Sequence, residues 1–252
     1  MKKRSRIFLF CLPFLVSVGC AKQKFDIGKE DPEVEITKCF SLSQHHKYEE
    51  ATECLEIFKS RFPQTAQGQE AELRIAENYF QQQQYLLAAD TYLNFVKLHP
   101  NHPQVDYALY RAGVSYFKEA PKAVDRDQKY LVKAGEQLEM ALRAAPQGTY
   151  HDQIVEVLNA VHGRLAKRIY YIANFYYRTG EYISAIGRFK ELVDKYPRSP
   201  LTAKSLYRLV KANMIEGRQE NARQAVETLL QNFPKDHLSA KAEKYFLNRV
   251  KK

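Results

Sequence analysis

The chain of 252 residues contains no tryptophan and only ten glycines. None of its glycines builds a phosphate-binding loop, and neither Gly-x-Ser-x-Gly nor Cys-x-x-Cys occurs. These absences leave no support for nucleotide, α/β-hydrolase or dithiol chemistry. His99 and His102 flank a turn, yet no second pair of ligands stands at metal-like spacing, so no metal and no cofactor are expected. His45-His46 and the pair Asp125 and Asp127 read as solvated loop residues. A lipid-anchored hydrolase would need a nucleophile–base pair that is not found, so the chain is read as not an enzyme. No stretch alternates apolar and polar residues over a strand length, which points to an all-α fold. The longest apolar run, 7–18, is about 12 residues, too short to span a bilayer.

What recurs is a proline with a fixed approach. Pro63, Pro100, Pro146, Pro197 and Pro234 each follow an alanine by twelve residues: Ala51, Ala88, Ala134, Ala185 and Ala222. Eight residues before each stands Leu55, Tyr92, Leu138, Phe189 or Val226; five before stands Phe58, Phe95, Ala141, Leu192 or Leu229. On a helix these positions share one face about 100° wide, and proline cannot continue the helix. Upstream, Ala76/Tyr79, Gly113/Tyr116 and Ala173/Tyr176 mark a partner helix. Cys39/Leu42 and Val210/Asn213 occupy those positions in the end blocks. A small residue, an aromatic three later, then alanine, an apolar residue and proline is the tetratricopeptide (TPR) pattern. The expectation is a solenoid of five helix–turn–helix units: repeats 1–3 over 33–148, repeats 4–5 and a closing helix over 149–252. An inserted loop is expected at 118–130. Residues 152–178 read as one long helix or two stacked ones.

The formal net charge is +10. Lys2, Lys3, Arg4 and Arg6 supply four of these charges, so the rest carries about +6, and nucleic acid is not an expected partner. Residues 1–19 read as a signal peptide. The small residues before Cys20 resemble a bacterial lipoprotein signal, making Cys20 the lipidation candidate and the membrane a partner through that N-terminal lipid. Residues 20–32 are polar and aperiodic and read as a tether. Cys39 and Cys54 lie at the same height on opposite helices of the first hairpin. They are either a disulfide or two buried thiols.

In a TPR stack the first helices line the concave face. Phe40, Leu73, Phe80, Tyr107, Tyr110 and Phe117 are expected there, a groove suited to an extended apolar-aromatic peptide. In the fourth repeat Arg178, Arg188 and Lys190 are candidate positions for an acidic partner.

The stretch 98–110, Leu-His-Pro-Asn-His-Pro-Gln-Val-Asp-Tyr-Ala-Leu-Tyr, resembles the BamD family, the TPR lipoproteins of the outer-membrane β-barrel assembly (BAM) machinery. So do Val124-Asp125-Arg126-Asp127, Arg164-Leu165-Ala166-Lys167 and Gly187-Arg188-Phe189. The resemblance implies a scaffold on the periplasmic face of the outer membrane. It implies an N-terminal half that receives C-terminal segments of unfolded outer-membrane proteins, and a C-terminal half that docks on a POTRA domain of BamA, beside other BAM subunits. The family's BamA-contacting arginine falls on Arg188. Its substrate-contacting tyrosine falls on Phe62, which keeps the ring and lacks the hydroxyl. An arginine associated with substrate contact in some members falls at or beside Glu49. The alternative is another periplasmic TPR lipoprotein that serves cell-envelope or cell-wall enzymes.

Overall fold

The computed structural model describes Phe25, Ile27 and residues 31–250. The expected signal peptide and Cys20 lie outside the described residues. Eleven α-helices, and no strand, make up the described chain: α1 Pro32–Gln44, α2 Tyr48–Arg61, α3 Ala66–Gln81, α4 Tyr85–Leu98, α5 Val105–Glu119, α6 Lys129–Ala144, α7 His151–Arg178, α8 Tyr182–Lys195, α9 Thr202–Ile215, α10 Gln219–Asn232 and α11 His237–Val250. Each odd helix packs on the even helix that follows it, giving five hairpins, and α11 closes the stack against α9 and α10.

Sequence dictates both ends of these hairpins. Every second helix stops at the residue before its proline: Phe62, His99, Ala145, Tyr196 and Phe233, all at φ −124° to −141° and ψ 50° to 81°. Proline forbids its predecessor the helical region, so the five stops are one device repeated. In repeats 1, 2, 4 and 5 the hairpin turns through a left-handed residue: His46, Gln83, Gly180 or Gly217. The next amide then reaches back five residues, as from Glu181 to the Tyr176 carbonyl at 2.9 Å, satisfying helix-end acceptors. Side chains cap two of the helix starts. Asp31 accepts from the Glu33 amide and Thr65 from the Gly68 amide.

All fifteen positions of the proline register are buried, none more than 5% exposed. The alanines permit close helix crossing. In repeat 3 the crossing is close enough that a Cβ on Gly113 would stand 2.7 Å from Leu138 Cγ. Residues 152–178 belong to one helix: Gly163 has open space around it and does not interrupt α7. At 28 residues α7 runs about 42 Å. Its Ile154 and Val161 join the core of repeats 2–3, and its Ala173 joins the core of repeats 4–5. Within the expected tether, Ile27 is only 5% exposed and packs with half-buried Phe25 into the first-repeat core. Aperiodic segments give no sign of such docking. The Sγ atoms of Cys39 and Cys54 are bonded in the structure, with Cα atoms 5.5 Å apart, joining α1 to α2.

Candidate protein-binding faces

Glu77 is the centre of the face built by α3 and α5. Its carboxylate accepts from Arg111 Nη2 at 2.7 Å, from the Tyr92 hydroxyl at 2.8 Å and from Gln81 Nε2 at 2.7 Å. Burial pushes this carboxyl up, but the Arg111 charge and the hydrogen bonds from Gln81, Tyr92 and Arg111 outweigh it and hold the group below its ordinary value. Burial, aided by Tyr107 and Glu77, pushes the Tyr92 hydroxyl well above its own.

Arginines also cover two of the expected peptide-binding rings. Arg111 lies over Phe80 at 4.0 Å from the ring centroid, and Arg74 over Phe40 at 4.9 Å. Tyr107 meets Tyr92 edge-on and approaches Tyr150 at 5.2 Å; Tyr110 stacks on Tyr150. A hollow of about 250 Å³ between them is lined by Glu70, Leu73, Arg74, Glu77, Gln104, Tyr107 and Tyr150. Phe40, Phe80, Tyr107 and Tyr110 remain half-buried and available in part. Leu73 is 6% exposed, a core side chain with one edge at the hollow. Phe62 sits at the α2–α3 turn against Phe58, at the opposite end of α3 from Phe80, and packs like Phe40 on the first-repeat core. Phe117 leaves the groove and lies under Arg164, beside the loop of repeat 3.

On α8, Arg188 is exposed and donates to Glu191 at 2.8 Å; Lys195 donates to the other oxygen at 2.9 Å. Burial would raise the Glu191 carboxyl, yet the bonds from Lys195 and Arg188 keep it low. Arg178 is exposed in the last turn of α7 and Lys190 is exposed on α8. Helices α9 and α11 carry cations over rings: Lys204 over Tyr170, Arg208 over Tyr177, Lys241 over Tyr207 and Arg249 over Tyr245. Helix α9 contains no acidic residue and α11 only Glu243.

Glu77, Arg111 and Tyr150 escaped the sequence reading, although a signal for the arginines existed. Arg74, Arg111 and Arg208 all stand two residues before the small or apolar residue that marks a first helix: Ala76, Gly113 and Val210. Phe80 and Tyr177 stand four residues after Ala76 and Ala173. The arginine of one repeat therefore reaches the ring of the repeat before it, at Arg111–Phe80 and again at Arg208–Tyr177. His99 bonds Glu72 at 3.1 Å and His102 packs on Phe95, so both histidines serve packing. No group of three potential metal ligands occurs among the described residues.

Five stacked hairpins with side-chain-rich first-helix faces define a tetratricopeptide scaffold. The chain belongs to the YfiO family of outer membrane lipoproteins, whose model matches residues 37–229. It is 26% identical over 240 residues to the outer membrane protein assembly factor BamD of Neisseria meningitidis serogroup A, covering 86% of this chain and 87% of that one. It is 28% identical over 193 residues to the factor of the same name from Rickettsia prowazekii, covering 77% and 76%. The corresponding Vibrio cholerae factor is 25% identical over 197 residues, covering 75% and 82%. Among solved structures, it is similar to the TPR2AB domain of yeast Sti1, with a TM-score of 0.44 and 13% identity over 87% of this chain and 84% of that one. No helix of the described residues is long and apolar enough to cross a membrane.

Proposed function

We propose that this protein is a non-enzymatic scaffold of outer-membrane β-barrel assembly, held by a lipid on Cys20 at the periplasmic face of the outer membrane. Its relatives are named outer membrane protein assembly factors. The observation that carries a binding role is the half-buried aromatic surface of α1, α3 and α5. Rings fixed by arginine stacking and by the Glu77 hydrogen bonds offer contact area with little entropy left to lose. In this reading Phe40, Phe80, Tyr107 and Tyr110 receive C-terminal segments of unfolded outer-membrane proteins. Phe62 serves as a separate contact at the edge of the first hairpin.

Arg188 and Arg178 then present guanidinium groups to an acidic partner, the POTRA domain of BamA, with other BAM subunits alongside. Glu191 keeps Arg188 extended and must share it, so the partner carboxylate meets a prepositioned fork. The test is a pair of titrations on the purified full chain, one with an unfolded β-barrel C-terminal segment and one with POTRA domains. The double variant Phe80→Ala/Tyr110→Ala should weaken segment binding about tenfold and leave POTRA binding alone. Arg188→Glu should do the reverse. If neither variant moves its own titration, the assignment fails.

A further inference from the structure

At the closing end of the stack, cations of α9 and α11 are held on two tyrosine rings. Lys211 Nζ lies 5.9 Å from the Tyr207 ring centroid and 5.5 Å from that of Tyr245, so one ammonium bridges both rings. Lys241 lies over Tyr207 at 5.5 Å, and Arg249 over Tyr245 at 5.1 Å. Both rings are half-buried and pack on the core of repeats 4–5, which fixes them. A ring face orients a cation without cancelling its charge, so the patch still asks for an anion.

Three properties set this patch apart. Lys211, Lys241, Lys244 and Arg249 make no ion pair among the described residues, whereas Arg188 and Lys195 on α8 and Arg223 on α10 are all paired with glutamates. Acids are kept off it. Helix α9 has none, Glu243 stands about 160° around α11 from Lys241, and Asp236 is engaged by the Leu238 amide at 2.8 Å and by His237. Finally, the patch extends in two dimensions. Lys241 and Arg249 are about 12 Å apart along α11, and Lys211 faces them from α9. Leu247, 48% exposed, stands one turn from Lys244 on the outer side of α11.

An extended acidic segment meets one row of cations, whereas a plane of phosphates meets all of them at once. Tyrosine beside lysine or arginine is also the pairing that settles at a headgroup layer, with the stem on apolar surface and the charge at the phosphate. We propose that the α9–α11 end of the stack rests on the membrane through anionic phospholipid headgroups. The phosphates face Lys211, Lys241, Lys244 and Arg249, and Leu247 enters the interface. This contact goes beyond the reading above and does not depend on a lipid at Cys20. With such a lipid at the other end, the stack lies along the bilayer instead of standing away from it.

The test places a fluorescent amino acid at exposed Asn248, on the Lys241 face of α11, in the full chain. A second form carries it at exposed Asn221 on α10 as the control. Each is bound to vesicles with a headgroup quencher, made of phosphatidylcholine alone or with phosphatidylglycerol, and quenching is read per bound chain. Position 248 should be quenched with phosphatidylglycerol, match the control with phosphatidylcholine alone, and lose its quenching as salt rises to about 0.5 M. Lys241→Gln should weaken the contact about fivefold. Lys211→Gln/Lys241→Gln/Arg249→Gln should bring it to the control with helical content unchanged. A chain without a lipid at Cys20 would bind less in both mixtures yet keep the difference between them, so the two readings fail separately. Equal quenching at 248 in the two mixtures, or full quenching in the triple variant, would overturn the proposal. Polyglutamate bound through the same three cations, with position 248 unquenched on phosphatidylglycerol vesicles, would assign the patch to an acidic protein and overturn it as well.

Discussion

The same register builds the first-helix faces of both halves, yet their electrostatics differ. In repeats 2–3 Arg111 stacks on Phe80 and is also neutralised by Glu77. In repeats 4–5 Arg208 stacks on Tyr177 with no acidic partner among the described residues. Helices α3 and α5 carry Glu70, Glu72, Glu77, Asp106 and Glu119, whereas α9 carries no acid at all. One face is internally balanced and presents mainly ring surface; the other leaves its cations available. A repeat scaffold can thus keep its packing rule and change what it binds by one residue per repeat, because each unit touches only its neighbours.

The ends differ too: the disulfide closes a sequence separation of 15 residues in repeat 1, while α11 covers repeat 5 by packing alone. Reducing Cys39–Cys54 should therefore cost about 3 kcal/mol, the largest effect expected of a single bond here. Hydrogen exchange should place the loss in α1 and α2 and leave α9–α11 protected; a uniform loss would mean that the array unfolds as one unit.

Next in size is the contrast at the two arginines. Glu77→Gln leaves Arg111 without its counter-charge and should destabilise by about 2–3 kcal/mol, reduced from the fully buried case because both side chains keep some exposure. Arg208→Gln should cost only about 1 kcal/mol, the worth of a partly exposed cation–ring contact without an ion pair. Denaturant melts of the two variants decide this. The Glu77 contribution also has a pH signature. Its folded carboxyl is held below the unfolded value, so its stabilisation is complete above the unfolded value and fades as the pH falls through the folded one. Glu77→Gln and the parent should converge in stability in acid and separate at neutral pH.

The smallest effect concerns the turns. Gln83 stands at φ 61° where repeat 4 has Gly180 at φ 86°. Gln83→Gly should stabilise by up to about 1 kcal/mol and Gly180→Ala should destabilise by a similar amount, measured as paired thermal melts.

Much of the fold was legible because its signals are local. Proline ends helices wherever it stands, and alanine, a large apolar residue and a third apolar residue on one helical face must go inward together. Sequence alone allows either one long helix or two stacked ones over 152–178, because Gly163 looks like a break. In space nothing needs it to be one. Resemblance alone makes Phe62 a substrate contact, and spacing alone places Phe117 in the groove. Their actual neighbours, Phe58 and Arg164, come from packing at hairpin ends, which helical periodicity does not describe. Glu77 was missed because its partner Arg111 is 34 residues away, and only the repeat register brings the two together. Ile27 was missed because a lone apolar residue in a polar stretch has no period.

The division of labour between the halves is tested most directly by a photo-crosslinking residue placed at Tyr110 in one variant and at Arg188 in another, in cells assembling a β-barrel protein. Position 110 should capture the unfolded barrel polypeptide and position 188 the BamA subunit. Capture of both partners at one position, or the two exchanged, would contradict the assignment of substrate to the ring face and of docking to α8.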